Sequence, residues 1–164
     1  MTALLPMTPE EFLAWETEAV PTYAAEKVAS GQWKEAEAPA LARKSFDELL
    51  PQGLATPDNH LFTMRDQPAQ VDVGTLWVAV QERAGKRVAY VYDVAIKPEH
   101  RRKGHAMRAF LALEDKVRSL GLAGIALHVF GHNAAAHALY LKLGYLPTNI
   151  NMYKAIEAGS CAET

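Results

Sequence analysis

The chain has 164 residues, with 17 basic and 19 acidic side chains, a formal net charge of −2 at pH 7 and 49% apolar residues. That length can bury a core without disulfide or metal staples, and the near-neutral charge gives no field that would favour nucleic acid or an anionic membrane. The one cysteine, Cys161, excludes an internal disulfide, and no apolar run reaches the roughly 18 residues that span a bilayer. With no secretory signal at the N-terminus, the expected location is the reducing cytoplasm.

In chain order, Ala3 to Met7 is at most a short edge strand, because Pro6 withdraws an N–H. Thr8-Pro9-Glu10-Glu11 then starts a helix: Thr8 caps, Pro9 suits the first turn and Glu11 closes a capping box. Phe12, Trp15, Ala19 and Tyr23 form its apolar stripe, and Gly31 ends it. Pro21 is expected to kink this helix or split it in two. A second helix, about Pro39 to Leu50, turns Ala42, Phe46, Leu49 and Leu50 inward and stops at Pro51-Gln52-Gly53.

Three strands follow, about 60–65, 71–80 and 87–97, joined by the turn stretches Asp66-Gln67-Pro68-Ala69 and Arg83-Ala84-Gly85-Lys86. A helix is predicted over 106–120, with Ala106, Phe110, Leu113, Val117 and Leu120 on its apolar face and Met107 and Leu111 alongside. Then come a strand over 125–130, a helix over 134–143 ended by Gly144, and a closing hairpin built from 145–146 and 149–154. Residues 158–164 read as a frayed tail, which leaves one domain over 1–157. The order predicts an α/β (α+β) fold, a mixed, mostly antiparallel sheet with helices on both faces. The helix over 106–120 is the crossover between two parallel strands, 87–97 and 125–130.

Two stretches carry chemistry. Arg101-Arg102-Lys103-Gly104-His105-Ala106 lies between a strand and a helix, where the unpaired N–H groups of a helix N-terminus meet three cations and a glycine. This suits a polyanion such as a pyrophosphate, although neither a Walker A loop nor a three-glycine dinucleotide fingerprint is present. By itself the cluster is equally compatible with a solvated basic turn. Asn133 and Tyr140 stand seven residues apart and share one side of the 134–143 helix. On spacing alone, a cap at Asn133 and a packed ring at Tyr140 account for both.

Together these residues resemble the GNAT acetyltransferase superfamily. Arg101, Gly104 and Ala106 match its Arg/Gln-x-x-Gly-x-Gly/Ala loop. Asn133, Ala136, Leu139, Tyr140, Gly144 and Tyr145 match Asn-x-x-Ala-x-x-Leu/Phe-Tyr-x-x-x-Gly-Phe/Tyr. The match covers about 71–154 and the strand order extends it over nearly the whole chain; residues 127–133 and 33–51 look most similar to a group of uncharacterised bacterial members. The resemblance implies acetyl-CoA as cosubstrate, lying where the two parallel strands splay apart. Backbone groups of Val94, Ala95 and Ile96 would bond its pantetheine arm like an added strand. The N–H groups of Arg101, Arg102, Lys103, Gly104, His105 and Ala106 would hold the pyrophosphate, Asn133 would bond the pantetheine, and the Tyr140 hydroxyl would sit near the thioester sulfur.

The implied reaction is N-acetylation of a primary amine, on a small molecule or a protein, by direct attack in a ternary complex. Here the chain departs from the family pattern, because no Glu occurs between Arg87 and Lys97. Asp93 is the carboxylate on that strand and the first candidate for proton acceptor, with His128 on the facing strand or a water as alternatives. A GNAT-fold acyl-CoA binding module without turnover is the competing reading, and the 145–154 hairpin is a candidate homodimer surface. No metal site is expected, nor nucleic-acid binding, since aromatics do not interleave the cations. Acceptor choice would fall to Trp33, Lys34, Glu35, Glu37 and the 51–60 turn, where Trp33 would stack on substrate or anchor the loop.

Overall fold

Thr8 shows how directly local signals are read out. In the computed structural model, which describes residues 1–158, its hydroxyl accepts from the Glu11 N–H and the Glu11 carboxylate accepts from the Thr8 N–H, the reciprocal capping box. The helix it opens, α1 (Pro9–Ala29), is followed by α2 (Ala38–Leu49). Of the tail expected over 158–164, everything from residue 159 on, Cys161 included, lies outside the described residues.

Pro21 does not split α1, which runs unbroken for 21 residues. Pro21, Thr17 and Glu18 are all exposed, so the carbonyl that loses its donor faces water and not the core.

The sheet has five strands in the order β1-β2-β3-β4-β5: β1 (Thr2–Pro6), β2 (Asn59–Asp66), β3 (Val71–Arg83), β4 (Lys86–Ile96) and β5 (Ile125–Leu127). β1 to β4 pair antiparallel, while β4 and β5 pair parallel. The expected short edge strand thus forms, with Pro6 as its last residue, where a missing donor breaks no central ladder. α3 (His105–Ser119) crosses from β4 to β5, and α4 (Ala134–Lys142) follows.

Each face of the sheet carries one helix pair. α3 and α4 bring Ala109, Phe110, Leu113, Val117 and Tyr140 against Phe62, Met64, Val73, Leu76, Val78 and Val91. On the other face, α1 and α2 bury an aromatic cluster in which Trp15 lies 5.6 Å from Trp77 and 5.7 Å from Phe46. Leu120 and Leu111, read as part of the α3 stripe, are exposed instead; α3 ends at Ser119, which drops Leu120 out of the helical period.

Two expectations fail at the C-terminal side. β5 has three residues rather than six, and after α4 no strand occurs among the described residues, so the 145–154 hairpin is not formed. Pro147 removes a donor, and Leu146, Ile150, Met152, Tyr153 and Ile156 are 75–92% exposed, with no sheet face to pack on. β5 shortens for a reason that lies in β4.

Candidate active site

β4 contains a bulge. Its register with β3 runs from Trp77↔Asp93 directly to Val78↔Val91, which leaves Tyr92 as the extra residue. Strict alternation would put Tyr92 and Asp93 on opposite faces; the bulge puts both on the α1/α2 face. Tyr92 stacks on Trp77 at 4.6 Å, and Asp93 Oδ2 accepts a 3.2 Å hydrogen bond from the Trp15 indole N–H. Val91 and Val94 both pack toward α3.

The bulge also ends the parallel pairing. β4 and β5 are matched only at Ala89↔Ile125, Tyr90↔Ala126 and Val91↔Leu127, and beyond Val91 the two chains part. The β5-facing side of β4 from Tyr92 to Ile96 therefore has no strand against it. On the other side Gly74 of β3 lies so close that an added Cβ would overlap the Ala95 carbonyl oxygen. Only glycine permits that approach.

Below this opening, residues 101–106 form a cradle. Arg102 and Gly104 both adopt left-handed backbone, with φ of 60° and 80°. Alternating left-handed residues turn successive N–H groups toward one point, which makes an anion-binding concavity. The Arg108 N–H donates to the Gly104 carbonyl and closes the first turn of α3, and among the described residues the N–H groups from Arg102 to Met107 find no backbone acceptor. The side chains of two cations face inward to the chain itself: Arg101 Nε donates to the Ile96 carbonyl at 3.0 Å and Lys103 Nζ to the Glu99 carbonyl at 3.0 Å. What the loop presents is thus backbone N–H groups at a helix N-terminus, which fits a pyrophosphate.

Of the expected loop residues, His105 can contribute only its backbone, because its side chain is buried. Its Nδ1 takes a hydrogen bond from the Thr2 hydroxyl at 3.1 Å and another from Arg108 Nη2 at 3.1 Å. Arg108 Nε donates in turn to Thr2 Oγ1, and Nη2 also to the Lys103 carbonyl, at 3.2 and 2.9 Å. Arg108, whose cation is expected to form no nucleic-acid site with Arg101 to Lys103, is the clasp of this loop.

Burial, with the adjacent Arg108 cation next, lowers the His105 pKa; His100 and Lys103 act the same way and Asp66 opposes them. A base held below its unfolded value binds fewer protons in the native state, so its contribution to stability is present at high pH and lost as pH falls below the unfolded value of about 6.5. In His105→Asn, whose amide oxygen can still accept at the Nδ1 position, the fall in Tm between pH 7 and pH 5 should be smaller than in the native protein. Thermal melts across that range measure it.

Tyr140 enters the opening from α4. Its ring is buried, edge-on to Phe110 at 5.3 Å and 5.7 Å from Tyr145. Its hydroxyl is bonded to no described residue, yet it is not among the sealed, unpaired polar atoms; in the neighbouring ring the Tyr145 hydroxyl is. Burial and then the Asp93 charge raise the Tyr140 pKa, so it is a protonated phenol at neutral pH. Burial also raises Asp93, against the Trp15 indole N–H and the Val94 N–H, which favour the carboxylate. Asn133 is the N-cap of α4, its side-chain oxygen accepting from the Ala136 N–H at 3.2 Å.

The remaining candidates fall elsewhere. His128 lies past the end of β5, not on a strand; it is exposed and edge-on to Phe130 at 4.9 Å. Trp33 is a loop anchor, perpendicular to Tyr23 at 5.5 Å with the Lys27 ammonium 5.7 Å from its ring centroid. Tyr90 packs under Arg83 at 4.5 Å, and the Tyr92 hydroxyl accepts from Gln81 Nε2 at 2.8 Å. One carboxylate was missed. Glu26 of α1 has its pKa raised by burial and then by Asp93, while His132, in the turn after β5, pulls it down.

Among the described residues no helix is long and apolar enough to cross a membrane, and no cluster of three or more His, Cys, Asp and Glu side chains could hold a metal ion.

Comparison with known proteins follows the same lines. The Acetyltransferase (GNAT) family matches residues 14–145. The uncharacterized N-acetyltransferase YycN of Bacillus subtilis (strain 168) is 37% identical over 153 residues, covering 93% of this chain and 97% of YycN. A second uncharacterized N-acetyltransferase of that organism, YdgE, is 32% identical over 92% of this chain and 95% of its own. The crystal structure of YycN superposes with a TM-score of 0.89 at 35% identity, over 96% of this chain and 100% of that one.

Proposed function

We propose the reaction from one premise: the chain belongs to the acetyltransferase (GNAT) family and is an acetyltransferase. Its reaction is transfer of the acetyl group of acetyl-CoA to a primary amine, of a small molecule or a protein, in a ternary complex. The observation that carries this reading is the parting of β4 and β5 beyond Val91 and Leu127, together with the N–H groups of 102–107 that find no backbone acceptor among the described residues.

When bound there, acetyl-CoA supplies an acetyl thioester whose carbonyl carbon an amine attacks. The N–H groups of Arg102 to Ala106 hold the pyrophosphate, helped by the positive end of α3, while the Arg101 N–H, expected among them, donates instead to the Pro98 carbonyl. The unpaired edge of β4 at Val94 and Ile96 takes the pantetheine amides as an added strand, while Ala95, expected with them, turns its carbonyl to Gly74 of β3. Asn133 reaches the same arm from the α4 N-terminus. A β4 N–H near Val94 polarises the thioester carbonyl, and Tyr140, protonated at neutral pH, gives its proton to the departing sulfur. Asp93, held by Trp15, contributes negative charge beside the reacting centre and draws a cationic amine toward it.

Thiol release from acetyl-CoA, measured across polyamines, amino acids, aminoglycosides and short peptides, tests the reaction and its acceptor class. Turnover with one class supports it; tight acetyl-CoA binding with no release from any amine would favour a binding module instead. Absence of acetyl-CoA binding would remove both.

We place the protein in the cytoplasm, in keeping with its composition. Its partner is a second copy of itself: the outer edge of β5 carries no strand among the described residues, and five large apolar side chains between 146 and 156 stand exposed nearby in sequence. The expected mass by light scattering is that of a dimer, and Ile150→Asp with Met152→Asp should shift it toward the monomer.

A further inference from the structure

β1 serves the 101–106 loop as well as the sheet. This edge strand is tied at its start by the Thr2↔Asp66 register pair and by the Gln67 N–H, which donates to the Met1 carbonyl at 2.9 Å. Thr2 and Leu4 both turn toward the α3 side, Leu4 to pack and Thr2 to meet the first turn of the helix. Thr2 is 2% exposed, so its hydroxyl needs partners inside the fold, and it finds them.

The hydrogen count around it closes. Arg108 Nε has one proton and gives it to Thr2 Oγ1; Nη2 has two and gives them to the Lys103 carbonyl and to His105 Nδ1. Thr2 gives its own hydroxyl proton to the same Nδ1. Because Arg108 can only donate, Nδ1 is the bare nitrogen, and the imidazole is neutral with its proton on Nε2.

This clasp reaches the cradle through single peptide planes. The Lys103 carbonyl and the Gly104 N–H belong to one trans peptide, so they point in opposite directions. Holding that carbonyl on Arg108 aims the Gly104 N–H away from the guanidinium and toward the cradle. The next plane is held by the same residue: the Arg108 N–H donates to the Gly104 carbonyl at 3.1 Å, which aims the His105 N–H.

We propose that Thr2, His105 and Arg108 are positioning residues that aim the Gly104 and His105 N–H groups at the pyrophosphate of acetyl-CoA, and that a proton on His105 releases them. This rests on the acetyl-transfer reading and deepens it, by making acetyl-CoA binding depend on the edge strand and on pH. An imidazolium would turn a donor toward the guanidinium, cation against cation, and the Lys103–Gly104 plane would lose its anchor. Charged and titratable groups around His105 come from every neighbouring element: Arg108 on α3, Lys103 in the loop, His100 in the turn before it and Asp66 at the end of β2. Burial and the three basic groups oppose the proton, and Asp66 favours it. Acetyl-CoA is therefore held fully while His105 is neutral, and less well as pH falls below about 6.5.

Calorimetric titration of the full chain with acetyl-CoA, from about pH 8 to 5.5, compares the native protein with His105→Asn, whose amide accepts at Nδ1 but takes up no proton. The dissociation constants should agree within about twofold at the upper limit, and the native protein should be about fivefold the weaker at the lower one. The phosphate monoester of acetyl-CoA also titrates near pH 6, equally in both proteins, so their ratio isolates His105. Parallel curves would overturn the proposal, as would native binding that tightens in acid, where the pyrophosphate charge would outweigh the clasp.

Thr2→Val keeps the shape and removes the hydroxyl. It should weaken acetyl-CoA about tenfold at pH 8, and Thr2→Ser should restore the native value. A Val variant that melts earlier but binds acetyl-CoA as the native protein does would make Thr2 a packing residue and sink the assignment. In the free protein the Gly104 amide resonance should follow the His105 titration, and stand still in His105→Asn; a Gly104 signal indifferent to His105 would count against the clasp without any ligand present. Gly104 coupled to His105 in a protein that binds no acetyl-CoA would remove the acetyl-transfer reading, and the pyrophosphate role with it.

Discussion

Replacing Tyr140 by phenylalanine should lower kcat about a hundredfold, the low end of what a positioned general acid contributes, while acetyl-CoA binds as before. The substitution removes one oxygen from a ring whose packing against Phe110 and Tyr145 is otherwise kept. That oxygen bonds no described residue, so its loss strands no partner and Tm should hold within about 1 kcal/mol of native stability. A phenol whose pKa is raised by burial and by Asp93 stays protonated well into alkaline solution. The residual activity of the variant should therefore fall uniformly between pH 6 and 9 and not in one limb. Steady-state thiol release, with acetyl-CoA affinity from calorimetry, separates the two quantities. Native kcat in the variant would remove Tyr140 from the chemistry.

Gly104→Val should weaken acetyl-CoA binding roughly a hundredfold, about 2–3 kcal/mol, with little change in the acceptor KM. Gly104 sits at φ +80°, where a β-branched residue is strained, and an added Cβ would come within 2.8 Å of Arg108 Nη1. Arg108 is the group that ties Lys103, His105 and Thr2 together, so pushing it aside loosens the cradle as well as twisting its backbone. Binding isotherms for acetyl-CoA and for a CoA fragment without the pyrophosphate should diverge: the first weakened, the second unaffected. Equal losses for both would place the pyrophosphate elsewhere.

Which parts of this site could be read in advance follows from how far apart the interacting groups lie. The loop 101–106 and the cap at Asn133 are local: a glycine, a helix start and a short polar side chain declare themselves within a few residues. The role of Arg108 as the clasp of that loop could not be found that way. Arg108 meets Thr2 across 106 positions of sequence. For Asp93 the strand was legible, but its face is set by a single extra residue at Tyr92, which nothing in Val91-Tyr92-Asp93-Val94 marks.

The sequence by itself determined the elements and their order. Hydrophobic period, the capping box at Thr8 and the turn residues between strands act over one or two turns of chain, and their consequences appear where expected from α1 to α4. It also determined the family, since two spaced motifs survive in any environment. Tertiary structure alone decided where β4 and β5 part, which face Asp93 takes, that α1 passes intact through Pro21, and that residues 145–154 form no hairpin among the described residues. Those outcomes depend on what lies across the sheet or beyond the helix. Packing against distant partners sets their energies, and local propensity carries no information about such partners.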